Sequence, residues 1–382
     1  MSLKFYEFFA GGGMARAGLG QGWVCAFAND FDHKKGETYR DNWGDGGEFT
    51  VGDIRKISAN DLPGAAELAW ASFPCQDLSL AGGGAGLRGE RSGTFYPFWD
   101  VMHGLAKEAR APRIIALENV VGTLTSHAGK DFTAICETYR RAGYRFGAMV
   151  IDAALFVPQS RPRLFVVGVR NDVEIPSRLS ASTPTGIFHP RNLQTAHGLL
   201  PESVRQDWLW WNLPIPAKRN VIFGDLIEDN PACVDWHTPD QTAALLAMMT
   251  PINLAKVDRA RQAGRRVVGT VYKRTRMGPH GKAVRAEVRF DDVAGCLRTP
   301  AGGSSRQTIV VVDGGSIRSR LISTRETARL MGLPDDYRLP SGRNEAYHLT
   351  GDGVVVPVVR YLAEHLFEPL LAKADEDQQA AA

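Results

Sequence analysis

The chemistry legible in this 382-residue chain starts at Cys75, in Phe73-Pro74-Cys75-Gln76. The apolar run Leu68-Ala69-Trp70-Ala71 before it reads as a buried strand, and Pro74 sets a turn. A thiol is thereby placed at the C-terminal edge of a strand, where open α/β sheets bind their ligands. Cysteine is the best intrinsic nucleophile among the side chains, although only a small fraction is thiolate at its ordinary pKa of roughly 8.5. A buried cysteine equally serves as a small hydrophobe. The choice rests on what else the chain brings to the same edge.

Three further segments offer polar groups at strand ends. Phe9-Ala10-Gly11-Gly12-Gly13 follows the first apolar run and opens a helix. Glycines there let the backbone approach a ligand beside the unpaired amides of a helix start. Asp30 follows Gly11 at the distance, about 20 residues, where a carboxylate accepts both hydroxyls of a ribose. Phe31 could stack on an adenine, and Gly52-Asp53-Ile54 could supply an acceptor for its amino group. Glu118-Asn119-Val120 ends the run Ile114-Ile115-Ala116-Leu117, and Gln159-Ser160-Arg161-Pro162-Arg163 leads into Leu164-Phe165-Val166-Val167. Singly, each has a plainer reading: a tight turn, a loop carboxylate, a helix-capping acid, surface arginines.

The elements that must position these groups alternate in type. Phe5–Phe9, Leu68–Phe73, Ile114–Leu117 and Leu164–Val169 read as buried strands, with helices expected over Gly13–Gly20, Thr94–Ala109 and Asp131–Ala142. That alternation predicts a parallel sheet with crossover helices. From Ser177 to Pro216 the composition turns to Pro, Ser, Thr and Trp, which suits a loop-rich insertion packed by Trp208, Trp210 and Trp211. Short β-like runs follow at Arg266–Tyr272, Val284–Phe290 and Thr308–Val312, and helical patterns return at Ser323–Met331 and Val354–Phe367.

Charge is concentrated rather than spread. The chain's net charge is only +3, yet positions 253–306 hold 13 Lys or Arg against 4 Asp or Glu. Such a segment is either a solvated face or a surface that tracks phosphates. Apolar content of 44% and charged content of 23% are those of a soluble globular chain, and no run approaches the roughly 20 apolar residues of a membrane span. Five widely spaced cysteines without a Cys-x-x-Cys pair suggest neither a disulfide framework nor a metal site, and fit a reducing cytoplasm.

Taken together and in this order, the motifs resemble those of the DNA (cytosine-5) methyltransferases that use S-adenosylmethionine. The resemblance covers nearly the whole chain. It adds Arg91-Ser92-Gly93-Thr94-Phe95-Tyr96, then Arg325-Glu326-Thr327-Ala328-Arg329-Leu330-Met331-Gly332-Leu333-Pro334 and Gly351-Asp352-Gly353-Val354-Val355, to the segments above. It implies a Rossmann-like α/β methyltransferase sheet with a smaller, mostly β or irregular target-recognition domain. The catalytic domain is expected to be discontinuous, over 1–229 and 336–382, with the recognition domain over 230–335.

By the same resemblance Cys75 is the nucleophile that adds to cytosine C6, Glu118 holds or protonates N3, Arg163 fixes the base at O2, and Arg161 helps to hold it. Cofactor contacts are expected at Phe9, Gly11, Gly13, Asp30, Phe31, Asp53, Ile54, Pro74, Phe95 and Asp352. The substrate implied is a cytosine flipped out of duplex DNA, and the Gly-rich stretch from Ser79 to Gly86 is expected to close over it. DNA contacts are expected at Ser79, Gln159, Lys273, Arg274, Arg276, Lys282, Arg285 and Arg298. No metal is implied. A monomer with a cognate restriction endonuclease as partner is the expected setting.

Methylation of tRNA by the same chemistry is the alternative, followed by a catalytically dead DNA-binding regulator. A nicotinamide-dependent oxidoreductase would rest on the glycine turn alone and leaves Pro74-Cys75-Gln76 unexplained. Three positions depart from the family's usual pattern: Met14 for a further glycine, Cys296-Leu297 for Thr-Leu, and Asp352 for asparagine.

Overall fold

The computed structural model describes residues 2–74, 92–278, 281–299 and 306–372. These divide into two compact units. One takes in the described residues of 1–152, 162–217 and 354–382, and the other those of 153–161 and 218–353.

The first unit is built on a seven-stranded sheet. In chain order its strands are β1 (Leu3–Phe8), β2 (Trp23–Asp30), β3 (Phe49–Val51), β4 (Leu68–Ala71), β5 (Ile114–Val120), β6 (Tyr144–Asp152) and β7 (Pro162–Arg170). Their spatial order is β3-β2-β1-β4-β5-β7-β6. The first five are mutually parallel, while β7 runs antiparallel to both β5 and β6. The strand order reverses between β1 and β4, so the crevice for a ligand lies outside the C-terminal ends of those two strands. All four residues of β4 are buried, as a strand covered on both faces requires.

Helices cover the faces by the spacing of their apolar residues. They are α1 (Met14–Leu19), α2 (His33–Trp43), α3 (Phe95–Lys107) and α4 (Lys130–Arg141). Helix α3 buries Phe95, Phe98, Trp99, Met102 and Leu105, a stripe of i, i+3, i+4 and i+7 type. Helix α4 does the same with Phe132, Ile135, Cys136 and Tyr139. The Tyr139 hydroxyl lies 3.2 and 3.0 Å from the carbonyls of Ile115 and Val166, so the helix is pinned to β5 and β7.

The Trp-rich stretch forms α5 (Arg191–Gly198), α6 (Glu202–Arg205) and a small two-stranded sheet of β8 (Ser180–Ala181) and β9 (Trp210–Trp211). There Trp208 and Trp210 pack edge to face at 5.2 Å.

The second unit contains a four-stranded antiparallel sheet in the order β11-β10-β12-β13. Its strands are β10 (Val267–Gly278), β11 (Gly281–Arg289), β12 (Thr308–Asp313) and β13 (Ser316–Leu321). One face is closed by α7 (Pro239–Ala247) and α8 (Pro251–Gln262), whose Leu245, Val257 and Ala260 pack with Val271, Ala286, Val288, Val310 and Val312. Helices α9 (Thr324–Leu330) and α10 (Arg343–Asp352) complete this unit, and α11 (Val356–Leu362) belongs to the first. No helix among the described residues is long and apolar enough to cross a membrane.

Helix α11 meets α1 with no space to spare. A Cβ on Gly18 would stand 2.4 Å from Val359 Cβ and 2.7 Å from the Val356 carbonyl oxygen. Helix propensity alone favours Gly→Ala by about 1 kcal/mol, but overpacking a tight contact costs about 1–3 kcal/mol. The backbone carbonyl cannot rotate away, so the clash should win. Gly18→Ala is therefore expected to lower the midpoint of thermal unfolding; a raised midpoint would show that α1 and α11 separate freely.

Candidate functional site

Four strand ends of the first unit supply the site. The turn after β1 is left-handed at three places, with φ of 58° at Phe9, 56° at Gly11 and 77° at Gly13. Glycine is required at position 13, where a Cβ would lie 2.3 Å from the Trp43 indole nitrogen. At Gly11 no atom comes within 4 Å of where a Cβ would stand, which leaves its backbone open to a ligand. The same indole nitrogen donates to the Gly12 carbonyl at 3.0 Å and fixes the turn from behind.

Asp30 ends β2 and is 6% exposed. Its two carboxylate oxygens accept from the backbone amides of Gly11 (2.8 Å) and Asp32 (2.9 Å). Burial raises its pKa, with Lys35 and those amides pulling the other way. Phe31 beside it is 73% exposed, a large apolar ring held at the surface. Asn29 donates to the carbonyls of Thr50 and Gly52 at 3.0 and 2.9 Å, which holds the next turn against β2. In that turn Asp53 caps a short helical turn by accepting from the Arg55 amide, and Ile54 is buried in the core. A glycine turn, a sunken carboxylate and an exposed aromatic ring are a set that fits an adenosyl group. Phe95, expected nearby, is fully buried and packs against Phe73 at 5.5 Å.

Glu118 and Arg163 are brought together by strand register. Val120 stands opposite Arg163 and Glu118 opposite Phe165 in the β5–β7 ladder. Glu118 and Val120 share a face, so Arg163 is the diagonal neighbour of Glu118. Arg163 Nε lies 3.1 Å from Glu118 Oε1, with the two side chains 16% and 8% exposed. A nearly buried carboxylate thus ends β5 with a guanidinium already paired to it.

Asn119, next to Glu118 on β5, has no sequence signal of its own beyond the Glu118-Asn119-Val120 segment. Its amide donates to the Phe73 carbonyl at 3.2 Å, while its side-chain oxygen accepts from the Val120 amide at 2.8 Å. It therefore fastens the Phe73-Pro74 turn to the end of β5, immediately before Cys75. Cys75 and Ser79, with the Gly-rich stretch to Gly86, lie outside the described residues.

The remaining predicted residues belong to the second unit. Gln159, expected at DNA, has no exposed surface. Its amide donates to the Leu330 carbonyl at 2.8 Å and accepts from the Leu297 amide at 3.0 Å, so the structure gives it an internal bracing part instead. Arg161 is 2% exposed and donates to the carbonyls of Leu297, Gly351 and Gly353. It clamps the Gly-Asp-Gly turn that presents Asp352, itself exposed at the end of α10.

Lys273, Arg274 and Arg298 line a cavity of about 230 Å³ together with Arg306, Cys296 and Tyr347, and no carboxylate is among its lining residues. Lys273, Arg274, Arg276 and Lys282 are exposed along β10 and β11, with Arg285 half-buried.

A family model described as C-5 cytosine-specific DNA methylase matches residues 3–368. The Bacillus subtilis protein named Type II methyltransferase M.BsuFI is 28% identical over 373 residues, which cover 97% of this chain and 74% of that protein. Type II methyltransferase M.HhaI of Haemophilus parahaemolyticus is 25% identical, over 95% of this chain and 94% of that one. Among solved structures, the Entamoeba histolytica methyltransferase EhMeth superposes with a TM-score of 0.61 at 14% identity, covering 97% and 99% of the two chains. The S. pombe Dnmt2 methyltransferase gives 0.57 at 18% identity, covering 96% and 99%. At those identities the structural likeness carries the fold.

One titratable group beneath the glycine turn has a measurable consequence. Glu7, in β1, is 2% exposed and its Oε2 has no hydrogen-bond partner. Burial pushes its pKa from 4.5 up to about 8, against the pull of Arg16 and the amides of Arg16 and Ala15, with Asp30 adding to the rise. Arg16 is turned toward Glu48 at 2.6 Å and the Tyr39 hydroxyl at 2.8 Å, and cannot neutralise Glu7 alone. Because the folded pKa is the higher one, the stability linked to Glu7 is complete below about pH 4.5 and is lost as pH rises through about 8. The steepest loss is about 1.4 kcal/mol per pH unit. Glu7→Gln should therefore gain on the native protein between about pH 5 and pH 8.5 in urea unfolding; a constant difference across that range would show Glu7 ionised in the fold.

Proposed function

We propose, for a chain that belongs to the C-5 cytosine-specific DNA methylase family and is by that membership a DNA (cytosine-5) methyltransferase, that it modifies one cytosine within a specific duplex sequence. The methyl donor in this reading is S-adenosylmethionine, and the setting is the modification half of a restriction system, as in the Type II methyltransferases it resembles. The observation that carries the reading is the Glu118–Arg163 pair at the end of β5, 3.1 Å apart.

Carbon 5 of cytosine is too poor a nucleophile to attack a methyl group unaided. The Cys75 thiolate adds to C6, forming a C–S bond and moving the C5–C6 electron pair toward C5. Glu118 holds N3 as negative charge develops on the ring, and Arg163 both fixes that carboxylate and faces the base at O2. When bound, S-adenosylmethionine would supply the electrophilic methyl group, the S–CH3 bond breaking so that the neutral thioether S-adenosylhomocysteine leaves. C5 takes that methyl, a base removes the C5 proton, and the electron pair left behind reforms the double bond and expels the thiolate. The Gly11 backbone, Asp30 and Phe31 would hold the nucleoside part of the cofactor, by the openness, burial and exposure described above.

Extruding the base from the stack costs a few kcal/mol. The acid-free cavity of Lys273, Arg274, Arg298 and Arg306 is suited to offset this through phosphate contacts. Arg161 and Gln159 act as positioning residues within the second unit.

Methyl transfer from labelled cofactor should go to duplex DNA and not to tRNA; labelling of tRNA alone would overturn the DNA reading. Cys75→Ser should abolish product while DNA affinity stays within about tenfold, or about 1.4 kcal/mol. Near-normal turnover by that variant would remove Cys75 from the mechanism. Duplex DNA with 5-fluorocytosine at the target should trap a covalent complex, because the last step has no proton to remove, and a failure to trap at a verified target would count against addition and elimination.

A further inference from the structure

The antiparallel sheet of the second unit does not end where its core ends. Strand β10 pairs with β12 only over Val267–Val271, yet continues against β11 as far as Gly278. From Tyr272 onward β12 no longer pairs with β10, and apart from a bridge between Met249 and Ala286 the ladder is two strands alone. Over these seven positions, at about 3.4 Å per residue, it extends about 20 Å.

Residues directly opposite in an antiparallel ladder share a face. One face starts from the core pair Val271 and Val288 and runs on through Lys273 opposite Ala286, Thr275 opposite Val284 and Met277 opposite Lys282, where Met277 and Val284 are exposed. The other carries Arg274 directly opposite Arg285, with Arg276 one step along.

Like charges placed directly opposite are destabilising, so the arginine face is costly to the fold by itself. A single carboxylate answers it. Glu287 binds Arg276 at 2.6 Å and reaches Arg274 at 3.6 Å. Among the described residues Arg285 has no ion-pair or hydrogen-bond partner for its guanidinium. A ribbon of two strands fits the major groove of B-DNA, about 12 Å wide, and not the minor groove, about 6 Å wide. The guanidinium fork matches the O6 and N7 acceptors of guanine, which that groove exposes.

We propose that the β10–β11 ribbon beyond Tyr272 enters the major groove of the target duplex, and that Arg285 reads a guanine of the recognition sequence. Glu287 is a positioning residue that holds Arg274 and Arg276 in line beside it. The inference rests on the DNA methyltransferase reading given above and adds the element and the residue that select the sequence.

The test is to sequence methylated cytosines in DNA from cells expressing the full chain or its variants. Arg285→Ala should relax the requirement at one guanine, so that sites differing only there rise at least about tenfold relative to the parent site. Arg285→Gln should shift preference at that position toward adenine, the base whose edge a glutamine amide matches. Thermal unfolding of both variants separates these effects from misfolding, and Arg285→Lys serves as the conservative comparison if either is unstable. An unchanged recognition sequence with uniformly weaker methylation would reduce Arg285 to a phosphate contact and overturn the proposal. Absence of cytosine methylation by the native chain would instead overturn the methyltransferase reading beneath it.

Discussion

The site depends on one reversal of direction. Strand β7 enters an otherwise parallel arrangement antiparallel to β5, and only that orientation places Arg163 diagonal to Glu118. A parallel β7 would have delivered the start of the strand to the opposite edge of the sheet. The pair is nearly buried, and a buried ion pair is poor evidence of net stability because desolvation offsets the attraction. Removing one partner is a different matter, since the remaining charge is left without compensation at about 3–5 kcal/mol. The guanidinium therefore holds the carboxylate in place at the end of β5, with its countercharge beside it. Asn119 extends the same logic by tying the Phe73 carbonyl to the end of β5.

The second unit has its own anchor of this kind, more deeply buried. Arg320 and Glu326 are both inaccessible to solvent and meet through two bonds, at 2.6 and 2.8 Å. The Glu326 carboxylate also accepts the amides of Ser323 (2.7 Å) and Glu228 (2.8 Å), so both oxygens are satisfied twice. Arg320 further donates to the Glu228 carbonyl and stacks on Trp236 at 4.9 Å from its ring centre. A buried polar network of this type, in which both carboxylate oxygens are satisfied and only the Arg320 Nε lacks a partner, favours one arrangement where an apolar contact would tolerate several. It joins the end of the antiparallel sheet to α9 and to the chain around Glu228. The projecting β10–β11 ribbon can therefore carry unbalanced charge without relying on its own pairing for the unit's stability.

Much of the first unit was legible because its residues obey short-range rules. Apolar runs with polar groups at their C-terminal ends gave β1, β4 and β5, and the stripes of α3 and α4 follow helical spacing. Strand β2 is harder to read: its last residues, Asn29 and Asp30, are buried and polar, and Val24 is 45% exposed. Strand β6 follows α4 after only a short turn and carries no strong boundary signal. In the second unit α7 and α8 announce themselves by Thr238-Pro239 and Thr250-Pro251, a cap followed by proline at the first turn. Those signals are local, but the concentrated positive charge of the segment draws the reading toward a surface. The ion pair that joins Arg320 to Glu326 has no sequence signature, since capping alone accounts for Ser323 and Glu326.

Gln159-Ser160-Arg161-Pro162-Arg163 shows why residue type cannot substitute for register. Two arginines two positions apart look interchangeable, and in a continuous strand they would share one face. The chain passes from the second compact unit to the first between Arg161 and Pro162. Pro162 opens β7 at a position where a missing amide is tolerated. Arg161 is consequently not part of the strand: it spends its donors on three backbone carbonyls of the second unit. Arg163, on the strand, is committed by pairing to face Glu118. The difference between an arginine that clamps a turn and one paired to Glu118 on the sheet is thus set by the proline between them, which fixes where the ladder begins.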